Sequence, residues 1–232
     1  MQTPHYLAKA QGTPKGGLVL LHEAFGLTPH IRAQADKFAA LGYTTLAPDM
    51  LVPSAPLSER DDNAWQSNGI FSWLPQNKAG LDLGRDLIVS TRPEQVLAIV
   101  AESVASVKNL GLPIALPIAT IGYCWGGSVS FVASKQVPGL ACAVCYYGGR
   151  IAEIAAQPPA PAIPVLVHTA KLDRYIPYDE AMQALRTHTP GVEVYGYNAD
   201  HGFNRDDGPT YDAAVAGLAL ERTLAFFSKH LK

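Results

Sequence analysis

The residue whose surroundings best suit chemistry is Cys124, in the segment Gly122-Tyr123-Cys124-Trp125-Gly126-Gly127. An apolar strand pattern precedes it and a helix-compatible stretch follows, which is the layout of a nucleophile elbow with cysteine in the place of serine. Glycine suits such a turn because side chains at positions 122 and 126 would collide with neighbouring backbone. A helix start behind Cys124 stabilises a thiolate and offers N–H groups to an oxyanion. Taken alone, the motif fits a buried structural cysteine about as well.

Two further residues turn this motif into a possible catalytic set. In the elbow layout the acid and the base follow the nucleophile in chain order. Asp173 comes shortly after the apolar run 164–168, and His201 comes shortly after the apolar run 192–197. Parallel sheets place their ligand sites beyond the carboxyl ends of the strands. The order Cys124, Asp173, His201 therefore predicts a cysteine nucleophile with a histidine base and an orienting carboxylate.

Other groups with chemical potential receive a structural interpretation. His22-Glu23 does not extend to His-Glu-x-x-His, so the sequence lacks that zinc-protease motif. Cys142 and Cys145 lie in one predicted strand and face opposite sides of the sheet, so they cannot share a metal or close a disulfide. The segment 122–127 lacks the lysine and hydroxyl pair of a phosphate loop, and no Gly-x-Gly-x-x-Gly occurs. We therefore expect no metal and no cofactor.

The elements that must position these residues alternate between strand and helix. The pattern predicts strands over 17–22, 43–47, 116–122, 140–147, 164–168 and 192–197, and helices over 29–41, 93–110, 125–135, 178–187 and 211–230. Apolar strands that alternate with helices predict an α/β fold, a mostly parallel sheet with helices on both faces. The sequence has no internal repeat, low-complexity tract or linker. We therefore expect one domain over residues 1–232.

Residues 49–91 are less regular and hold several prolines and aromatic residues without a clear period. A long loop inside a compact domain is usually functional, such as a lid or a pocket wall. A pair of short surface helices that cover the sheet explains the same pattern equally well.

Composition excludes several classes of protein. Of the 232 residues, 48% are hydrophobic and 16% charged, and the net charge of -2 gives no reason to expect nucleic acid or an anionic membrane as partner. Three cysteines do not make a disulfide framework. The uncharged stretch 109–134 is broken by prolines and glycines, which favours strand, turn and helix over a membrane span. With no signal-peptide pattern at residues 1–16, we expect a soluble, cytoplasmic protein.

The chain resembles the dienelactone hydrolase (carboxymethylenebutenolidase) family of α/β-hydrolases from about residue 15 to residue 228. The cysteine elbow and the loop after the first strand are the most specific parts of this resemblance. The segments that carry it are 122–127, Asp173 with Pro177, His201-Gly202-Phe203, His22-Glu23-Ala24-Phe25-Gly26, Tyr146-Tyr147-Gly148 and Glu221-Arg222-Thr223.

The resemblance implies a role for each member of the catalytic set. Cys124 would be the nucleophile, His201 the base and Asp173 the carboxylate that orients it. Glu23 would pair with the cysteine in the resting state and assist its deprotonation when substrate displaces the carboxylate.

The resemblance also implies the groups that hold the substrate. Backbone N–H groups of Ala24 and Trp125 would form the oxyanion hole. The family grips the carboxylate of its lactone with two arginines, and Arg205, four residues after His201, matches one of them. Arg85 is the nearest candidate for the second, with a solvated helix residue as the alternative. Tyr147 matches a position in the substrate site.

Three functions remain open on the sequence. The first is hydrolysis of a small carboxylated lactone, of the type that converts dienelactone to maleylacetate. The second is a carboxylesterase or thioesterase that acts on another small ester, and the two differ at Arg205 and in residues 49–91. The third is a non-catalytic ligand-binding member of the fold. The Cys-His-Asp set argues against the third. The expected partner is a small ester or lactone, and the expected state is a monomer or small homo-oligomer.

Overall fold

The computed structural model describes residues 3–54, 78–110 and 116–232. The chain divides into two compact units, Met1–Leu116 and Pro117–Lys232. The single domain over residues 1–232 stays a prediction.

Among its described residues, the first unit contains three strands, in the order β1-β3-β2. They are β1 (His5–Ala8), β2 (Gly16–Leu21) and β3 (Tyr43–Pro48). β2 lies parallel to β3, with Leu18 opposite Thr45, and β1 adds to the other side of β3 as an antiparallel strand. The sequence analysis does not predict β1, because four residues without an apolar run are too few to show a strand pattern.

Helix α1 (Pro29–Ala40) connects β2 to β3 and has the ends that the sequence predicts. The Thr28 hydroxyl accepts a hydrogen bond from the Ile31 N–H, and Pro29 occupies the first turn. The chain leaves the helix at Gly42, whose φ of 97° is a conformation that glycine adopts without strain.

Two helices follow β3 in the described part of the first unit. They are α2 (Lys78–Ser90) and α3 (Pro93–Lys108). Helix α3 buries Val96, Val100, Val104 and Val107 on one face, as the spacing predicts. Over 78–90 the loop alternative is wrong, because these residues form a 13-residue helix, as the helix alternative expects for part of residues 49–91. Residues 55–77 lie outside the described part.

The second unit contains four strands in the order β4-β5-β6-β7, and each neighbouring pair is parallel. They are β4 (Ile118–Tyr123), β5 (Cys142–Tyr146), β6 (Val165–Ala170) and β7 (Glu193–Tyr197). Four helices complete it, α4 (Trp125–Gln136), α5 (Ile151–Ala156), α6 (Tyr178–His188) and α7 (Ala213–His230). Of these elements only α5 has no counterpart in the sequence prediction. It is a short helix of six residues.

The strands of the second unit end where the candidate residues begin. Cys124 directly follows β4, Tyr147 directly follows β5, and Asp173 and His201 lie in the loops after β6 and β7. Because the strands are parallel, these loops meet at one edge of the sheet. The α/β class with a mostly parallel sheet is therefore confirmed.

The two cysteines of β5 and the uncharged stretch 109–134 are predicted to be structural. Cys142 and Cys145 are buried free thiols in β5, and burial raises the pKa of each to about 12, as suits core residues. The described part of residues 109–134 contains strand β4 and most of helix α4. Within the described ranges, no helix combines the length and apolar character that crossing a bilayer requires.

Candidate active site

Cys124 occupies a sharp turn between β4 and α4. Its φ of 53° and ψ of -117° form a conformation that residues with a side chain rarely adopt. A Cβ on Gly122 would overlap the Gly126 carbonyl oxygen, and a Cβ on Gly127 would lie 2.5 Å from the Tyr146 carbonyl oxygen. The glycines are therefore required for the backbone to close around the cysteine.

Hydrogen bonds hold this turn in place. The Cys124 N–H donates to the Tyr146 carbonyl of β5 at 3.0 Å. The Cys124 carbonyl accepts from the N–H groups of Gly127 and Ser128 at 2.9 and 3.2 Å, which starts α4 directly behind the thiol. The positive end of the helix dipole favours negative charge at this position. The half-buried Cys124 side chain thus has both access and electrostatic support.

Asp173 is fixed by the backbone of its own loop. Its Oδ1 accepts hydrogen bonds from the N–H groups of Tyr175 and Ile176, at 2.8 and 3.1 Å. Its Oδ2 lies 2.7 Å from His201 Nδ1, and the Asp173 side chain has no exposed surface. One carboxylate oxygen is therefore committed to the loop, and the other orients the imidazole.

His201 joins this carboxylate to the thiol. Its imidazole hydrogen-bonds Asp173 and also interacts with Cys124. Since Nδ1 is engaged by Asp173, Nε2 is the nitrogen left for the cysteine. Burial lowers the pKa of His201, but the negative charges and hydrogen bonds of Cys124 and Asp173 outweigh it and hold the pKa well above the ordinary value. This arrangement suits a base that takes the proton of the thiol.

The backbone of His201 is held on both sides by residues that belong to no motif in the sequence. The His201 N–H donates to Asp200 Oδ1 at 2.7 Å, and Asp200 Oδ2 pairs with Arg174 at 2.6 Å. The hydrogen bond from Arg174 lowers the pKa of Asp200. The Thr210 hydroxyl donates to the His201 carbonyl at 2.6 Å. The only signal in the sequence is adjacency, because Arg174 follows Asp173 and Asp200 precedes His201.

Aromatic rings surround the imidazole. The ring of Tyr147 lies 5.1 Å from that of His201 and 5.1 Å from that of Phe203, and the half-exposed Tyr175 meets His201 edge to face at 5.3 Å. Tyr147 is fully buried and has a positive φ of 38°. The structure thus brings the predicted residues Cys124, Asp173, His201 and Tyr147 together.

Arg205 lies on the same loop as His201, beyond Gly202. Its Nε donates to Asp207 Oδ1 at 2.7 Å, and a second guanidinium nitrogen lies 3.4 Å from Asp207 Oδ2. The Arg205 side chain is 16% exposed. The fork is therefore already oriented by a carboxylate of its own loop.

Three of the predicted residues, Glu23, Ala24 and Arg85, belong to the first unit, whereas Trp125 follows Cys124 at the start of α4. Glu23, 4% exposed, and the buried Ala24 follow β2 in the loop that leads to α1. A Cβ on Gly84 of α2 would lie 3.1 Å from the Ala24 carbonyl oxygen, so α2 packs closely on this loop. Arg85 is half exposed and lies 3.9 Å from Asp82, one turn earlier on α2, which fits the alternative of a solvated helix residue.

Comparison with known proteins agrees with the geometry. The model of the dienelactone hydrolase family matches residues 3–231. The chain belongs to the dienelactone hydrolase family. The family is thus shown over nearly the whole length of the chain, and the resemblance noted in the sequence is confirmed.

Proteins similar to this chain match it over both units. Carboxymethylenebutenolidase 1 of Cupriavidus pinatubonensis is 28% identical, over 94% of this chain and 88% of that protein. A crystal structure from Klebsiella pneumoniae, provisionally assigned as a dienelactone hydrolase, has a TM-score of 0.78 at 26% identity and covers 97% of this chain and 92% of that one. The chain has the α/β-hydrolase fold and is a carboxylic ester hydrolase.

A more distant structure supports the fold alone. It is a dienelactone hydrolase-like promiscuous phosphotriesterase from metagenomic libraries, with a TM-score of 0.69 at 21% identity over 96% of this chain and 89% of that one.

Proposed function

We propose that this hydrolase opens a small lactone that carries a carboxylate, as in the conversion of dienelactone to maleylacetate, through a Cys-His-Asp acyl-enzyme mechanism. The observation that carries the proposal is the chain of contacts from Cys124 through His201 to Asp173, with 2.7 Å between the imidazole and the carboxylate. The name of the Cupriavidus relative supports the substrate class.

The first half of the reaction forms a thioester. His201 takes the proton of Cys124, and the sulfur attacks the lactone carbonyl. A carbon–sulfur bond forms, the ring carbon–oxygen bond breaks, and the protonated His201 returns its proton to the leaving oxygen. Asp173 stabilises the imidazolium that exists between these two transfers.

The second half releases the acid. His201 removes a proton from water, the hydroxide oxygen bonds to the thioester carbon, and the carbon–sulfur bond breaks. The thiolate regains a proton through His201. These steps use water and protein groups, so the proposal names no cofactor and no metal.

The groups that assist the chemistry follow from the family resemblance. The N–H of Trp125, at the first position of α4, is proposed as one donor of the oxyanion hole and the N–H of Ala24 as the other. Glu23 is proposed to control the protonation of the cysteine before substrate arrives.

The groups that select the substrate are proposed in the same way. Arg205 would bind the substrate carboxylate, because a guanidinium fork matches two carboxylate oxygens. The ring of Tyr147 would form part of the wall beside His201. Arg85 is retained as the candidate for a second arginine, and the carboxylesterase and thioesterase alternatives apply if only neutral esters are turned over.

The proposal is tested by removing the thiol. We expect Cys124→Ala to lower kcat by several orders of magnitude on lactones and esters, since the nucleophile is lost while the turn is kept. Alanine fits because the side chain is half exposed and fills no core space. Steady-state turnover should be measured on a panel of lactones and simple esters, with and without an acidic group.

The matched control is Cys142→Ala, which removes a buried thiol from β5. Its unfolding temperature should fall while its activity persists. Trapping a thioester by intact-mass measurement should add the acyl mass to the wild type and not to Cys124→Ala. Wild-type turnover in Cys124→Ala contradicts the mechanism, and turnover of neutral esters alone favours the esterase alternative.

A further inference from the structure

A buried chain of hydrogen bonds lies in the second unit just below the catalytic loops. The Tyr197 hydroxyl lies 2.8 Å from His168 Nδ1, and His168 Nε2 lies 2.9 Å from the Thr223 hydroxyl. The Thr223 hydroxyl lies 2.8 Å from that of Tyr146. These four residues, hereafter the His168 network, come from β7, β6, α7 and β5, and each is at most 5% exposed.

His168 uses both ring nitrogens in this network. Burial, and then the positive charge of Arg222, lower the pKa of His168 to about 3, so the ring is neutral at physiological pH. A neutral imidazole has one donor and one acceptor nitrogen, which two hydroxyl partners satisfy. Leucine or phenylalanine would fill the same space but would let the neighbouring strands shift along their length. The hydrogen bonds of His168 are directional and oppose such a shift.

The network adjoins each residue of the proposed catalytic set. His168 precedes Asp173 by five residues and Tyr197 precedes His201 by four. The Lys171 N–H donates to the Tyr197 carbonyl at 2.8 Å, so the strand pairing continues into the Asp173 loop.

Tyr146 connects the network to the backbone of Cys124. The Tyr146 carbonyl accepts the hydrogen bond of the Cys124 N–H, and the ring of Tyr146 packs on that of His168, with 4.4 Å between centroids. The next residue, Tyr147, packs on the ring of His201. The ends of β5, β6 and β7 are thus tied to one another directly below the three reacting side chains.

We propose that His168 is a positioning residue, which acts through Tyr197 and Thr223 to hold the ends of β5, β6 and β7 at the relative height where Cys124, His201 and Asp173 meet. The network acts on geometry and does not contact the substrate. Its effect on turnover rests on the proposed function, but its effect on the Cys124–His201 pair does not. A misplacement of about 1 Å in such a set can cost about a hundredfold in rate.

Thr223 offers a clean test, because two similar variants differ in the hydroxyl. Thr223→Val keeps the shape and loses the hydroxyl, and Thr223→Ser keeps the hydroxyl. We expect Thr223→Val to lower kcat by about 10- to 100-fold with little change in KM. Thr223→Ser should restore most of the loss. Tyr197→Phe, which removes one hydroxyl from the end of the network, should lower kcat in the same direction and serves if Thr223→Val folds poorly.

A measurement without substrate separates this proposal from the proposed function. The rate at which iodoacetamide alkylates Cys124 should be followed against pH. In Thr223→Val and Tyr197→Phe we expect the pH of half-maximal alkylation to rise by about one unit, because a looser His201 stabilises the thiolate less. This readout works even if the wild type turns over none of the lactones offered, an outcome that would count against the proposed function alone.

The control is Thr189→Val, which removes a buried hydroxyl that donates to the Leu185 carbonyl at 3.0 Å at the end of α6. It should lower the unfolding temperature and leave the alkylation profile and kcat unchanged. If Thr223→Val and Tyr197→Phe behave like Thr189→Val, the His168 network only stabilises the fold and the proposal is wrong.

Discussion

Arg205 forms an ion pair with a carboxylate of its own loop. The carboxylate of Asp207 faces the guanidinium with 2.7 and 3.4 Å contacts, the same fork-to-carboxylate geometry that a substrate acid would use. A bound substrate must therefore share or displace this partner. In return, the pairing holds a flexible side chain in one orientation before substrate arrives, which lowers the entropy lost on binding.

Substitution of Arg205 measures its share of substrate selection. A charge-assisted hydrogen bond contributes roughly 1.5–3 kcal/mol, about one to two decades in rate. We expect Arg205→Ala to lower kcat/KM by that factor for lactones with a carboxylate and to leave neutral esters nearly unchanged. Arg205→Lys should recover part of the loss, since an ammonium keeps the charge without the fork.

Asp207→Asn provides the matched control, because it keeps Arg205 and removes the competing charge. It should bind acidic lactones at least as well as the wild type. Equal losses for acidic and neutral substrates in Arg205→Ala would mean that Arg205 holds the His201 loop in place, and the carboxylate assignment would then be wrong.

At the scale of elements, the contact between α4 and β5 sets how close the nucleophile can come to its base. Gly127, in the first turn of α4, lies against the carbonyl oxygen of Tyr146, which also accepts the Cys124 N–H. Both the Gly127 Cα and the Tyr146 oxygen belong to the backbone, so a side chain at position 127 would displace the backbone of α4 or β5. The elbow therefore depends on a missing side chain.

Gly127→Ala tests this close approach. The added Cβ would lie 2.5 Å from a backbone oxygen, so we expect a loss of about 1–3 kcal/mol in the free energy of unfolding, together with a large loss of activity. Urea unfolding and turnover measure the two effects. Gly217→Ala is the control, since a Cβ there, within α7, meets no atom within 4 Å.

In the control, the free energy of unfolding should rise by about 0.5–1 kcal/mol, because alanine is the better helix former. A Gly127→Ala protein as stable as the wild type would contradict the packing argument.

The sequence predicts elements that are determined by local patterns and misses elements that depend on contacts between distant residues. β4, α4 and the loops of Asp173 and His201 were predictable because apolar runs, glycines and chain order are local signals. β1 was not, because it exists through pairing with β3 and through the Asp49 N–H, which donates to the Pro4 carbonyl at 2.8 Å. Such contacts join residues that are far apart in the chain.

The same distinction applies to the candidate site. Cys124, Asp173 and His201 follow from motif and order, but the ion pair of Arg174 with Asp200 depends on two loops meeting. The sequence carries no signal for His168, since its partners come from α7 and β7 and no spacing reveals them.

For the protein as a whole, His168 and His201 make stability depend on pH in different ranges. The pKa of His168 is lowered to about 3 by burial and Arg222, while that of His201 is raised. His168 therefore contributes stability that is complete above about pH 6.5, its unfolded value, and is lost as pH falls toward 3. His201 contributes stability below about pH 6.5 that is lost as pH rises through its folded value.

The ranges of His168 and His201 do not overlap, but burial also lowers the pKa of His230, which adds a slope of the same sign below about pH 6.5. Between about pH 3 and 6.5 the unfolded chain binds a proton at His168 and the folded chain does not, whereas His201 is protonated in both states. The free energy of unfolding should therefore fall by roughly 1.4 kcal/mol per pH unit through His168 alone. Carboxylates add their own slope below about pH 5, so the comparison must be made between variants.

We expect His168→Gln to be less stable than the wild type at pH 7 and to show a shallower decline between pH 6.5 and 5, by roughly 1.4 kcal/mol per unit. Urea unfolding at intervals of half a pH unit measures both slopes. Thr189→Val, which removes a buried hydroxyl and no titratable group, should keep the wild-type slope. If His168→Gln and the wild type decline in parallel, the folded protein accepts a proton at His168, and the neutral ring on which the His168 network depends is excluded.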